Sequence, residues 1–285
     1  MIDHGWSTVY GILKKVAREL PRPTRRFRFS DALIVAMFLW AVGHDRPMCW
    51  ACDRRHYGRQ FHPRWLPSIS QFSRRLRTDR CRAILTRVYE ELAEVRRGSP
   101  VCFLDGRAFP VGPCSKDADA RAGRVYGGFA RGYKLHSLVS EDRRVLCWAV
   151  TPLPVAETRV AMALVEHAQP SALVLADGNF DSGPLYDAVE QTGGHLITPV
   201  PLRAGRGHHR RSPARLAAIA AWRGIAGYVY RDRIGVEQCY GHLSASGGGL
   251  APLPSWVRTL PRVRRWIGAK LILHHARLKT RGAVA

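Results

Sequence analysis

A mixed α/β sheet with helices on its faces, preceded by a small all-helical domain, is the fold class this sequence predicts. Three observations predict it. Apolar residues recur at helical spacing through the first hundred positions, whereas from Val101 short β-branched and aromatic runs alternate with helical segments. The chain of 285 residues is long enough for one large domain or two modest ones, each with its own core.

In order along the chain, helical periodicity predicts Val9 to Leu20, then the run ALIVAMFLWAV capped by Ser30 and Asp31, then Ser68 to Leu76 and Arg80 to Val95. Gly98, Ser99 and Pro100 mark a boundary, giving a helical domain over 1–98, expected to bind DNA, and a second domain over 99–285. VCFLD at 101–105 reads as a buried strand, and 127–140 and 144–152 read as two strands joined by the Glu141-Asp142-Arg143 turn. A helix over 157–169, a strand over 171–177, a helix over 181–194 and a strand over 195–200 follow. Crossover helices imply a parallel portion and the hairpin an antiparallel one. Residues 201–218 read as a basic loop leading into a short helix, 230–243 as a helix, 244–254 as a loop and 262–279 as a last basic helix.

Charge narrows the function. Against 22 acidic residues stand 45 basic ones, a formal net charge of +23, so the expected partner is a polyanion. The first hundred residues carry a balance of +11, the next hundred −2 and the remainder +14, with half of all the acids in the middle third. Basic flanks around an acidic centre suit a protein that holds a polyanion and uses carboxylates on it. Seven unevenly spaced cysteines do not form a disulfide framework. No leader pattern opens the chain and Ala32 to Gly43 is too short to span a bilayer, so a cytoplasmic, nucleoid-associated protein with no membrane partner is expected.

Asp105 and Asp177 each follow an apolar run and each precede a glycine, in VCFLDG and SALVLADG. Ligand chemistry collects beyond the carboxyl ends of parallel strands, so the two can face one pocket although 72 positions separate them. The last 85 residues hold only two acids, Asp232 and Glu237. On a helix Tyr230, Arg233, Glu237, Tyr240 and Ser244 share a face and Asp232 turns away. Three carboxylates of this kind suit two Mg²⁺ ions, with Mn²⁺ as a substitute, in phosphoryl transfer on nucleic acid.

These residues, with two further strings, resemble a bacterial insertion-sequence DDE transposase with a ribonuclease-H-like catalytic fold, from about Val101 to Leu278. The landmarks are Asp105, the Gly132-Tyr133-Lys134-Leu135-His136 strand, the segment Ala176 to Ser182, and a Tyr-x2-Arg-x3-Glu-x6-Lys helix seen as Tyr230, Arg233 and Glu237. Ser244 stands at the lysine position. The resemblance implies cleavage at terminal inverted repeats and joining of the freed 3′-hydroxyls to target DNA. It further implies Asp105, Asp177 and Glu237 as catalytic metal ligands and double-stranded DNA held by a homodimer on paired ends. A related nuclease without strand transfer, or a decayed DNA-binding copy, are the alternatives.

Candidate DNA contacts are Arg74, Arg75 and Arg77 in a possible recognition helix, Lys134 and His136 on one strand face, and Arg233 on the acidic helix. Asp181 and Ser182 before Pro184 read as a helix cap. Cys49 and Cys52 with His56 and His62 have spacing reminiscent of a zinc site, against which stands the apolar dipeptide between the cysteines. Trp148 and Trp222 read as core residues or base-stacking platforms.

Overall fold

The structure, a computed structural model, describes residues 5–21, 27–94, 99–170, 173–199, 212–245, 250 and 253–282. It divides into two compact units, one of residues 1–94, 243–251 and 265–285 and the other of 95–242 and 252–264.

The first unit is helical. Its α1 (Trp6–Glu19), α2 (Asp31–Gly43), α3 (Ile69–Leu76) and α4 (Asp79–Ala93) match the helices expected from periodicity. Each boundary has a local cause. Ser30 Oγ accepts from the Leu33 N–H at 3.2 Å, and Ser68 and Gln71 form a reciprocal capping box at the start of α3. Helix α2 has no polar face and is buried almost throughout. Trp6, Trp40, Tyr57 and Phe61 pack ring against ring around it.

The division between the units corrects the expected one. The C-terminal helix, which we number α10 (Leu260–Gly282), was expected inside the second domain as a basic helix, but from Arg265 onward it belongs to the helical unit. The reason is burial: Ile267, Leu271, Ile272 and Ala276 are at most 1% exposed, and Lys270 is drawn in beside them by an ion pair with Asp45.

The second unit is the α/β body. Its strands are β1 (Val101–Pro110), β2 (Arg121–Val125), β3 (Gly128–Ser140), β4 (Val145–Pro152), β5 (Leu173–Ala176) and β6 (His195–Ile197), in the order β2-β3-β1-β5-β6 with β4 also on β3. Strand β3 is antiparallel to β1, β2 and β4, while β1, β5 and β6 run parallel. Helices α5 (Glu157–Ala168) and α6 (Gly183–Gln191) supply the crossovers. Their apolar sides meet Cys102, Leu104, Val174 and Ala176 in one core. Against the other face lies α9 (Ile234–Ala245), where Gly235 lets the helix approach so closely that a Cβ there would stand 3.0 Å from the Phe103 ring.

Several local expectations change. Strand β2 was not foreseen because RAGRV lacks an apolar alternation, and its pairing with the outer half of β3 forms it. Residues 201–211 of the expected basic loop lie outside the described residues, and the remainder of that segment enters α7 (Pro213–Ala221), started by Ser212. Between α7 and α9 the chain passes through irregular helical turns that include the one-turn α8 (Gly227–Val229). Ser244 falls inside α9 and not in a loop. Asp181 does not cap α6; it accepts two hydrogen bonds from the buried Arg215 guanidinium, at 2.7 and 2.8 Å.

Arg75 departs from its expected role in the same way. Its guanidinium lies 2.5 Å from Asp31, which also faces Arg80 at 3.2 Å, and it stacks 3.5 Å from the Phe27 ring centroid. Arg74 and Arg77 stay exposed. Removing one partner of a buried ion cluster leaves the others unpaired out of water, which costs about 3–5 kcal/mol. Asp31→Ala should therefore destabilise the helical unit by about that amount in chemical denaturation, and a loss below about 1 kcal/mol would show that Arg75 and Arg80 are not held by Asp31.

Candidate active site

The position of Asp105 follows from strand register. Strand β1 does not end at Asp105, as the sequence suggested, but continues to Pro110 along β3. What ends there is the parallel pairing with β5, whose last rung joins Leu104 to Ala176. Asp105 and Asp177 are thus the next residues on two adjacent strands, and neighbouring strands lie about 4.8 Å apart. At Asp177 the chain turns away through Gly178–Phe180, and the carboxylate accepts from the Asn179 N–H at 2.8 Å.

Side-chain alternation puts Asp105 on the same face as Phe103, under α9. There Arg233 Nη2 stands 3.4 Å from Asp105 Oδ1, and Arg233 Nη1 is 3.9 Å from Glu237 Oε1. The Tyr240 hydroxyl, one turn further on, donates to the Asp105 carbonyl at 3.3 Å and bonds Ser137 Oγ at 2.7 Å. The helix and the strand are therefore tied together beside the carboxylate. The Glu237 side chain is 68% exposed and Asp105 only 16%, so one acid faces solvent and the other is largely enclosed.

Electrostatics record the same gathering. Burial raises the Asp105 carboxyl to about 6; the Arg233 charge and the Gly106 N–H pull it down, and the charges of Asp177 and Glu157 push it up. The Tyr230 hydroxyl is raised by burial, eased by Arg233, and raised further by Asp177, Asp105 and Glu237 together. All three acids expected from the sequence act on that one phenol.

Glu157 was missed by sequence reasoning. It forms an ion pair with Lys134 on the opposite face of the sheet, and Gly106 makes room for both: a Cβ there would lie 3.3 Å from Lys134 Cδ and 3.4 Å from Glu157 Oε1. The glycine after Asp105 was the available signal, since it marks a close approach and not a strand end.

The expected phosphate contacts on β3 take another form. Lys134 is engaged by Glu157. His136 is 2% exposed with Nε2 2.9 Å from Thr151 Oγ1, and burial, then Lys134, push its imidazole down to about 4. Strand β3 is flanked on both sides, so neither residue lies on an edge. The Ser244 hydroxyl is buried without a hydrogen-bond partner among the described residues, so that position is not open surface. Trp148 and Trp222 are half-buried. Cys49 and Cys52 are free, and His56 spends Nδ1 on the Trp50 carbonyl at 2.8 Å.

Among the described residues no three His, Cys, Asp or Glu side chains gather closely enough to hold a metal ion, at the cysteines or at the acids. At the acids the Arg233 guanidinium lies between Asp105 and Glu237, 3.4 Å from one and 3.9 Å from the other. No described helix is long and apolar enough to cross a membrane.

A mixed sheet in this order, with crossover helices on one face, an acid-bearing helix on the other and a helical region before it, defines the ribonuclease-H-like α/β class. Residues 96–250 match the family model described as a transposase DDE domain, and the chain belongs to that family. Its fold is similar to that in a cryo-EM structure of a piggyBac transposase synaptic complex with hairpin DNA, at 10% identity and a TM-score of 0.51 over 99% of this chain and 72% of that one. No curated protein matches the chain.

The raised Asp105 has a consequence for stability. Its folded value of about 6 exceeds the ordinary 3.8, so ionising it opposes folding: stability is full below about pH 4 and falls as pH rises through 6. At about 1.4 kcal/mol per unit, the cost above pH 6 is about 3 kcal/mol. Asp105→Asn should accordingly stabilise the metal-free protein by about 2–3 kcal/mol at pH 8 and by almost nothing at pH 4, read from urea denaturation in the presence of a chelator. Equal stability of the two proteins at pH 8 would contradict this account of the carboxylate.

Proposed function

We propose that the chain is a transposase that cleaves DNA at the ends of its own element and joins the 3′-hydroxyls to target DNA, with Asp105, Asp177 and Glu237 as ligands for Mg²⁺. One observation carries the reading: in a chain of the DDE family, the β1–β5 register sets Asp105 beside Asp177 under the helix that bears Glu237. By chemical type, though not by their spacing in the free chain, the donors suit a hard divalent cation. All three ligands are carboxylates, and Asp105 is held in a place where its charge is poorly solvated and its counter-ion, Arg233, is 3.4 Å away. Two such ions, when bound, stabilise an attacking and a leaving oxygen in phosphoryl transfer.

The chain's own residues divide the remaining work. Asp105 lies on β1 and Asp177 directly follows the end of β5, so the last rung of the sheet, Leu104 to Ala176, sets where both begin. Tyr240 and Ser137 hold α9 against β1 and so fix the approach of Glu237. Arg233 shares its charge between two acids at 3.4 and 3.9 Å, contacts long enough for it to turn to a DNA phosphate once the acids are otherwise neutralised. The formal charge of +23 attracts duplex DNA, the proposed partner, and two copies of the chain would hold two element ends.

A second reading, a DNA-binding copy that has lost catalysis, is favoured by the absence of a close three-ligand group among the described residues and by Ser244 at the lysine position. Strand cleavage separates the two. With Mg²⁺ and DNA carrying the element ends, the wild-type chain should cut, and Asp105→Asn or Asp177→Asn should cut at least about 10²-fold more slowly while binding the same DNA. A wild-type chain that binds these ends and never cuts them would favour the second reading, and an Asp105→Asn protein cutting at the parental rate would remove that residue from the chemistry.

A further inference from the structure

The outer end of the sheet carries a feature that the site does not use. Strands β2 and β3 form a hairpin whose two-residue turn, Tyr126-Gly127, leaves the Tyr126 side chain 106% exposed. Next to it Phe129 is 79% exposed. Gly127 has φ +80° and Gly128 +156°, backbone that favours glycine, so the tight tip is written into the sequence. One face of the hairpin is pressed onto Leu153, whose Cβ would lie 2.6 Å from a Cβ at Gly123. The other face pairs Arg124 directly with Phe129. At the base, Arg131 donates to the Ser115, Asp117 and Ala120 carbonyls at 3.2, 2.9 and 3.1 Å, which anchors the hairpin.

We propose that this hairpin is a DNA wedge: Tyr126 and Phe129 enter between base steps of duplex DNA while Arg124, paired with Phe129, holds an adjoining phosphate. Two large rings held out in water on a braced turn gain nothing for the folded chain. Apolar and aromatic side chains of this kind unstack and kink duplexes when they enter the minor groove. The charge selects the partner. No Asp or Glu occurs from Ala120 to Ser140, whereas Arg124 beside the tip and Arg121 at the base of the hairpin are both exposed. Phe129 lies eight residues along β3 from Ser137, the partner of Asp105, so the tip is about 27 Å from that acid at ~3.4 Å per residue. That span equals about eight base pairs, so the tip meets flanking duplex and not the phosphate to be cut. The proposal rests on DNA being the substrate, but it requires no catalysis.

The test uses the full-length chain without divalent metal, a fully paired duplex, and the same duplex with one mismatched step beside a 2-aminopurine. Because a mismatch lowers the cost of unstacking, wild-type protein should prefer the mismatched duplex by about tenfold and raise the 2-aminopurine fluorescence. The double variant Tyr126→Ala/Phe129→Ala should lose both the preference and the signal, and Tyr126→Trp/Phe129→Trp should keep them. Equal affinity of wild type for the two duplexes, or an alanine variant that retains the preference, would overturn the wedge while leaving DNA as the substrate. A change of oligomeric state in the alanine variant with DNA affinity and preference untouched would assign the face to a contact between copies and overturn it as well. Wild-type protein that binds neither duplex would overturn the wedge together with the reading on which it rests.

Discussion

The parallel register between β1 and β5 is the constraint on which the site depends. With Leu104 opposite Ala176, Asp105 and Asp177 become neighbours on adjacent strands. A slip of one residue in either strand would turn its acid into the opposite core and its apolar set toward α9. The register is protected because both faces are buried: Cys102, Leu104, Val174 and Ala176 pack under α5 and α6, and Phe103 packs under Gly235. The same apolar residues that hold the sheet together thereby set where two carboxylates stand.

That placement carries an electrostatic cost. Asp105 is held where burial and two nearby acids disfavour its charge, and Arg233 offsets this only at 3.4 Å. Across the sheet Lys134 neutralises Glu157, and the ion pair is packed against Gly106. A chain selected for stability alone would place an apolar residue at 105. Keeping a poorly solvated carboxylate there fits a site arranged to receive additional positive charge.

Much of this was legible in the sequence, and the losses have physical causes. The helices of the first unit were readable because their apolar positions repeat at helical spacing and Ser30 caps α2, whereas the caps at Ser68 and Thr78 emerge from the structure. Asp105 and Asp177 stand out in the sequence by the apolar run before each and the glycine after it, and Arg233 and Glu237 by helical spacing. Strand β2 and Glu157 do not stand out, since both are defined by a partner distant in sequence, β3 in one case and Lys134 in the other. Arg75 and His136 read as surface contacts, and Asp181 as a helix cap, because their partners, Asp31, Thr151 and Arg215, lie far away in sequence. The C-terminal helix was assigned by position in the chain, whereas its buried apolar residues join it to the helical unit.

In the proposed cation site of Asp105, Asp177 and Glu237, Arg233 is the competing charge beside Asp105 and Glu237 in the free chain. Titration of the full-length protein with Mn²⁺, followed by electron paramagnetic resonance, tests it directly without any cleavage assay. Wild-type protein should bind Mn²⁺, Asp105→Asn and Asp177→Asn should each abolish or greatly weaken the binding, and Arg233→Ala should tighten it by removing the competing charge. Binding unaffected by either aspartate substitution, or no binding even with duplex DNA present, would contradict it.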